Sequence, residues 1–408
     1  MRTNGHRLLL IWFFSTIRLA DHHQFVGFSR SISLNILTGF SDSLPSADPS
    51  NSVTLPKEAY FDQDFFDLEK QEMWFKTWHY AGWVGELKNV GDYITASLFE
   101  QDVIIVRGSN GELAGFYNVC QHRGHKLLNG SGSVTSIRCP YHSWVYDLKG
   151  KLSHARGSET TLSVDVDKIG LKKISVDVVA DLFVFFNLDS ETPPLAPQLT
   201  DFIDDLEREV PGLRKMELVT RPTTLDPDAE SFLDVAYPVN ANWKIVMENF
   251  LECYHCRGAH PDVRDLFALD DLTLRGYPLW AKQKSRVTGL EVGKQLFYTL
   301  FPNMTLSFVT GGLPYVTIFE FAVPDGPTKT TFGHGGYYCL SDDMMGETLP
   351  QDYVQVGRED KDLCESAQRG MHSLGYDQGQ FMYDPTHSEI TEEGSHAFSR
   401  FIMKYVGL

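Results

Sequence analysis

The sequence predicts an α+β protein in two parts, a small all-β unit followed by a larger unit of helices around an antiparallel sheet. Three observations predict it. Short β-type runs broken by turn residues fill the stretch from Trp78 to Leu188. Beyond Pro193 the texture changes to helical patterns interleaved with strands. Each part also carries its own set of metal-ligating side chains. At 408 residues and 42% apolar content the chain is long enough for two such cores, and it contains no internal repeat.

Residues 1–41 hold one acid, Asp21, against Arg2, Arg7, Arg18 and Arg30, and Ser43–Pro56 is rich in serine and proline. Residues 1–55 are therefore expected to be a disordered or targeting extension. The apolar run Leu8–Phe14 is at the short limit for a secretory signal, and no clear cleavage site follows it. A helix through Phe65–Phe75 falls in a segment, 56–77, assigned to the catalytic part. The β unit, 78–188, reads as strands at Tyr93–Phe99, Val103–Val106 and Leu113–Val119, with a turn at Ser109-Asn110-Gly111. A hairpin follows, Trp144–Leu148 and Lys151–Ser153 joined by Lys149-Gly150, and the buried strand Leu182–Phe186 closes the unit. The second part, 189–408, reads as an acidic amphipathic helix Ala196–Val210, a helix Trp243–His255, strands Phe297–Val309 and Tyr315–Val323, and a long helix Asp352–His372.

A net charge of −18 argues against nucleic acid and anionic membrane surfaces as partners and mildly favours neutral or cationic small molecules. An acid excess also reads more simply as solvated surface. No apolar run approaches the ~20 residues that a membrane span needs. Six cysteines are too few for a disulfide scaffold, so a reducing, cytoplasmic location is expected, or an organelle matrix if the first residues are a transit peptide.

Cys120-Gln-His122 is followed after sixteen residues by Cys139-Pro-Tyr-His142. Two thiolates and two imidazoles at these spacings suit a 2Fe–2S cluster in which one iron takes both sulfurs and the other both ring nitrogens. A Cys₂His₂ zinc site is the rival, but zinc fingers place the two cysteines together, whereas here cysteine and histidine alternate. His125 fits no ligand position and reads as a surface or hydrogen-bonding residue.

The second set begins in Trp243–His255. At ~100° per residue, Trp243, Met247, Phe250 and Tyr254 form an apolar stripe, with Glu248, Glu252 and His255 opposite. His260 stands just before Pro261, so His255 and His260 offer two neutral nitrogens to one ion, and a distant carboxylate completes a two-histidine, one-carboxylate site with positions open for dioxygen. Periodicity selects that carboxylate: Tyr353, Val356, Asp360, Leu363 and Ala367 trace one stripe on the long helix, so Asp360 is an acid on an apolar face. Its alternative is a buried ion pair with Arg358 or Arg369. Asp362, Glu359 and Ser366 read as solvated, and Cys253 and Cys256 as packing residues.

Together these residues resemble the α subunit of a Rieske non-haem iron oxygenase, from about Thr54 to the carboxyl end. The cluster motif matches at Cys120, His122, Cys139 and His142. The iron motif matches at Asn242-Trp243-Lys244 and Glu248-Asn249-Phe250 with His255 and His260, and the late ligand at Asp360. The resemblance implies a Rieske iron–sulfur domain and a helix-grip catalytic domain. It also implies a mononuclear Fe(II), a separate NAD(P)H-dependent reductase, O₂ as co-substrate and a head-to-tail homotrimer. Most members carry a bridging Asp shortly before the first iron histidine; here Glu252 holds that place.

The segments around His255 and Asp360 further resemble oxygenases of quaternary ammonium compounds such as glycine betaine, carnitine, stachydrine and choline. A cationic substrate suits an aromatic pocket, with Phe297, Tyr298, Phe301, Phe308, Tyr315 and Phe319 as candidate suppliers. An aromatic-ring dioxygenase is the alternative enzyme, and a Rieske electron carrier without oxygen chemistry the alternative from another class.

Overall fold

The computed structural model describes residues 44–160, 165–215, 217–220, 236–261, 268–288, 293–310, 317–339 and 351–408. The expected extension lies outside them as far as residue 43. Residues 44–55, by contrast, are tied down and correct that expectation. Arg400 donates to Pro45 O at 3.1 Å, Thr54 N–H bonds Gly379 O at 3.1 Å, and Leu55 is buried. Serine and proline here build turns along a packed segment: Asp48 caps the single turn Pro49–Asn51 by accepting from Ser50 N–H.

Helix α1 (Gln63–Glu72) starts at Asp62, whose carboxylate accepts from Phe65 N–H. Strands β1 (His79–Trp83), β2 (Asp92–Leu98), β3 (Gln101–Arg107), β4 (Leu113–Tyr117) and β5 (Ser131–Ser133) follow. Three short strands, β6 (Ile137–Arg138), β7 (Val145–Tyr146) and β8 (Leu152–His154), form a small sheet. Strands β9 (Lys173–Val179) and β10 (Phe183–Asn187) complete a seven-stranded antiparallel sheet in the order β1-β10-β9-β4-β3-β2-β5. Both expected glycine turns are present, with φ of 83° at Gly111 and 82° at Gly150. Ile104, Val106 and Phe116 of the large sheet pack with Ile137, Tyr146 and Leu152 of the small one, and Cys120 and Cys139 belong to that core.

The second sheet contains β11 (Glu217–Thr220), β12 (Tyr237–Val239), β13 (Thr273–Gly276), β14 (Trp280–Arg286), β15 (Lys294–Leu300), β16 (Met304–Thr310), β17 (Thr317–Pro324) and β18 (Thr330–Cys339). Its order is β11-β18-β17-β16-β15-β14-β13, with β12 beside β18. The strand expected over Phe297–Val309 is two strands, because Phe301-Pro302-Asn303 turns the chain; proline has no N–H to offer a ladder. Helix α2 (Thr200–Glu209) buries Phe202 and Leu206 between the two sheets, against Phe183 and Phe185 on one side and Leu296, Tyr298 and Leu306 on the other.

Helices α3 (Trp243–Phe250), α4 (Cys256–Ala259), α5 (Gln351–Met371) and α6 (Glu393–Val406) carry the rest of the second part. The motif Asn242-Trp243-Lys244 anchors the start of α3. Asn242 caps it by accepting from Lys244 N–H at 2.9 Å, and its own N–H donates to Gln368 of α5 at 2.7 Å. The Trp243 indole and the Lys244 ammonium both reach Glu69 of α1, at 3.1 and 2.7 Å, and the Lys244–Glu69 pair is fully buried. A buried ion pair keeps its place only with its remaining hydrogen bonds satisfied. Here the indole supplies one. Among the described residues no helix is long and apolar enough to cross a membrane.

Candidate metal centres

The Cys-x-His and Cys-x-x-His loops share one local design. Cys120 N–H bonds His125 O at 2.9 Å and Gly124 N–H bonds Cys120 O at 3.0 Å. In the second loop Cys139 N–H bonds Trp144 O at 2.8 Å and Ser143 N–H bonds Cys139 O at 3.0 Å. Each loop can close so tightly because its fifth residue is left-handed, with φ of 70° at Gly124 and 59° at Ser143. The closure buries both sulfurs and leaves His122 exposed and His142 half-buried above them. The two imidazoles stand 4.6 Å apart between centroids, and the Trp144 ring stacks on His122 at 4.7 Å. Beneath, the Tyr146 hydroxyl lies 3.4 Å from Cys120 Sγ and accepts from Gln121 N–H at 3.0 Å. Burial pushes the Cys120 thiol above its ordinary range. A thiolate there needs a compensating positive charge. Two sulfurs below and two imidazoles above fit a cluster whose inner iron is held by thiolates and outer iron by nitrogens. His125 ligates nothing in this arrangement; its exposed ring nitrogen meets Lys126 O at 2.5 Å.

The second centre also gathers residues far apart in the chain. His255, His260 and Asp360 present ligand atoms within 4.8 Å of one another. The two Nε2 atoms are 3.1 Å apart, and Asp360 Oδ1 lies 3.3 Å from that of His255 and 3.0 Å from that of His260. Both remaining ring nitrogens are held by carboxylates, His255 Nδ1 by Glu252 at 2.5 Å and His260 Nδ1 by Glu359 at 2.8 Å. Asn249 donates to Asp360 Oδ1 at 3.2 Å. Burial alone would lower the His255 pKa, yet the Asp360 and Glu252 carboxylates override it and hold the ring up to about 10. Three acids converge on two imidazoles. Such a site gathers positive charge, as protons when nothing else is bound and as a divalent cation when one is. The donor set therefore fits a mononuclear iron with open positions.

Several expectations change. The helix expected over Trp243–His255 stops at Phe250, where Leu251 N–H turns back to Met247 O and Glu248 O. The Glu252 carboxylate then accepts from the backbone N–H groups of both Tyr254 and His255, so a tight turn rather than a helical face aims His255. Glu248, opposite the apolar stripe, accepts from Tyr60 at 2.9 Å, and burial pushes its carboxyl up to about 8. Cys253 and Cys256 do more than pack. They form a disulfide spanning His255, buried against Leu269 and Leu272.

On α5 the inward line is Val356, Asp360, Cys364 and Gln368, while Leu363 is 39% exposed and Ala367 is exposed. Arg358 and Arg369 are also exposed. Glu359, expected in solvent, instead holds His260. No sequence signal separates it from an ordinary surface acid. Of the candidate aromatic residues, Tyr298 and Phe308 face the α2 core and Phe301 packs between Phe398 and Phe401. Tyr315 and the side chain of Phe319 lie outside the described residues. Phe297 faces α3, edge-on to Phe250 at 5.6 Å.

Comparison with known proteins follows the same division. Residues 77–169 match the Rieske [2Fe-2S] domain family, and residues 225–292 and 280–408 match the ring-hydroxylating α-subunit catalytic domain. The carnitine monooxygenase oxygenase subunit of Escherichia coli (strain K12) is 33% identical over 370 residues, covering 87% of this chain and 94% of that protein. The glycine betaine monooxygenase oxygenase subunit of Pseudomonas aeruginosa (strain UCBPP-PA14) is 35% identical over 235 residues, covering 57% of this chain and 50% of that one. A solved structure of a quaternary ammonium Rieske monooxygenase, described for its carnitine oxidation and inter-subunit electron transfer, superposes with a TM-score of 0.74 at 30% identity, covering 88% of this chain and 97% of that one.

Proposed function

The chain belongs to the Rieske non-haem iron oxygenases, and from that premise we propose that it is the terminal oxygenase for a small quaternary ammonium compound. The observation that carries the reading is the convergence of His255, His260 and Asp360 in the same chain as the Cys-x-His and Cys-x-x-His loops. An electron carrier needs only the loops. When bound, a cluster held by Cys120, His122, Cys139 and His142 relays single electrons, and an iron held by His255, His260 and Asp360 binds and activates O₂. Glu252 and Glu359 fix the tautomers that turn both Nε2 lone pairs toward the ion, and Asn249 steadies the carboxylate.

Hydroxylation of a carbon bonded to the quaternary nitrogen consumes O₂, two electrons and two protons and releases one water. The hydroxylated carbon then parts from nitrogen as an aldehyde, and the nitrogen leaves as a tertiary amine with loss of a proton. The electrons come from NAD(P)H through a separate reductase. The ring of acids favours a cationic nitrogen near the iron.

The assembly belongs to the same proposal, as does a cytoplasmic location. A head-to-tail homotrimer sets the cluster of one protomer beside the iron of the next. Two exposed tyrosines mark the faces that would meet, Tyr141 beside His142 and Tyr254 beside His255. Glu252, already bonded to His255, is then the group that bridges the centres.

The test is O₂ uptake by the purified chain with a reductase and NADH, across carnitine, glycine betaine, choline and aromatic acids. Aldehyde and tertiary amine should appear in proportion to O₂ consumed, with three irons per chain. Conversion of an aromatic acid to a cis-diol with no response to any quaternary amine would overturn the reading.

A further inference from the structure

The central strands of the second sheet sort their side chains by charge. Cross-strand partners share a face, so the register of β14, β15 and β16 defines two sides. One side carries the rows Lys282–Tyr298–Leu306 and Lys284–Leu296–Phe308. All four basic residues of these strands lie on it. Lys282, Lys284 and Lys294 meet Glu209 of α2, and Arg286 meets Asp271. The other side carries Gln283–Phe297–Ser307 in one row and Ser285 beside Gln295 in the next. It is polar, uncharged and buried, at 6% exposure for Gln283, 3% for Ser285, 0% for Gln295 and 7% for Ser307.

This neutral side faces the iron-ligand turn. Gln283 Nε2 donates to Phe250 O at 2.5 Å, and the Phe297 ring packs edge-on to Phe250. Phe250 ends α3, two residues before Glu252 and five before His255. Between the two rows Gln295 Nε2 donates to Ser307 Oγ at 2.9 Å. The Ser285 hydroxyl, next to Gln295, has no hydrogen-bond partner among the described residues. A buried hydroxyl left unpaired is unfavourable, and native interiors leave few of them without a reason.

We propose that this neutral side, around Ser285 and Gln295, is the subsite for the carboxylate of a zwitterionic quaternary ammonium substrate. The assignment rests on the proposed function and deepens it. Charge decides the orientation. Glu252, Glu359 and Asp360 around the ligand turn attract the ammonium end and repel the carboxylate, which must be held away from them. A lysine or arginine on the wall would hold the carboxylate but compete for the same acids and repel the ammonium. Neutral O–H and N–H donors hold one end without opposing the other. A hydrocarbon substrate would leave the Ser285 hydroxyl unpaired, and a quaternary amine without a carboxylate would do the same.

The test measures binding without turnover. Full-length protein carrying its cluster is titrated calorimetrically with carnitine and with tetramethylammonium, which lacks the carboxylate. Ser285→Ala removes one oxygen from the row, and Gln295→Met is a near-isosteric second variant; cluster absorption checks that each is folded. Each variant should weaken carnitine about tenfold, the effect of losing one hydrogen bond to a charged group. Tetramethylammonium affinity, strong or weak, should stay within twofold. Carnitine affinity unchanged in both variants, or equal losses for the two ligands, would overturn the subsite while leaving the quaternary ammonium reading intact. If wild-type protein binds neither these ligands nor glycine betaine nor choline, the substrate reading fails and the subsite with it.

Discussion

Glu359→Ala tests whether the second carboxylate beside the iron ligands sets metal affinity. The His260 side chain is 1% exposed, and its Nδ1 lies 2.8 Å from Glu359 Oε2. That contact holds a proton on Nδ1, so that Nε2, 3.0 Å from Asp360 Oδ1, can turn its lone pair to a bound ion. Without it the ring can adopt the other tautomer, with N–H turned toward the ion. Loss of such a partner costs about 10–100-fold in metal affinity, or about 1.4–2.8 kcal/mol. The Glu359 side chain is 24% exposed, so water can partly replace it, which puts the expected loss near the lower end, about tenfold. Glu359→Gln retains an acceptor and should lose about threefold. The assay is titration of the mononuclear site with Co(II), followed by its visible absorption after subtraction of the cluster spectrum. Asp362→Ala, at an exposed position two residues beyond Asp360, is the control and should bind as wild type does. A Glu359→Ala dissociation constant within twofold of wild type, or an equal loss in Asp362→Ala, would refute the reasoning.

Three further outcomes are expected. Cys139→Ser should abolish visible cluster absorption while leaving Co(II) binding at His255, His260 and Asp360 unchanged; a normal Rieske electron paramagnetic resonance signal in that variant would remove Cys139 from the ligand set. Glu248 is pushed by burial from 4.5 to about 8 and is faced by Tyr60, Lys244, Glu69 and Glu392. Its raised folded pKa contributes stability that is present below about 4.5 and lost as pH rises to about 8, so Glu248→Gln should stabilise the protein by a few kcal/mol at pH 8 and little at pH 4.5, as read by denaturant unfolding. His142→Ala and Asp360→Ala should each be inactive alone, and purified mixed trimers should regain part of the activity. If they remain inactive while wild-type trimers assembled in the same way work, the electron path lies within one chain.

How much of the site was legible depended on how local its geometry is. Each cysteine–histidine loop closes on itself through hydrogen bonds spanning four or five residues, so spacing in the chain is nearly spacing in the fold. That Cys120, His122, Cys139 and His142 come together could be read directly for that reason. His255 and His260 were legible on the same grounds, but the stop of α3 at Phe250 was not, since the Glu252 carboxylate and the Cys253–Cys256 disulfide that shape the turn leave no trace in a 3.6-residue pattern. Asp360 was reached through a stripe that is partly wrong. Hydropathy favours Leu363 for the interior, yet Gln368 is buried and Leu363 is not.

The reason lies in what Gln368 joins. Its carbonyl takes Asn242 N–H and its amide reaches Tyr60 O, so one polar side chain fastens α5 both to the start of α3 and to the segment before α1. A leucine there would leave two buried backbone groups without partners, a larger loss than exposing Leu363. Glu69, which takes the Lys244 ammonium and the Trp243 indole, follows the same rule. Around the metal centres the residues that set the geometry are buried polar ones, whose value lies in partners distant in the chain. A pattern of apolar spacing places the helix but cannot supply its rotation, and in this protein that rotation decides that Asp360 and Glu359 both meet the histidines while Asp362 faces solvent.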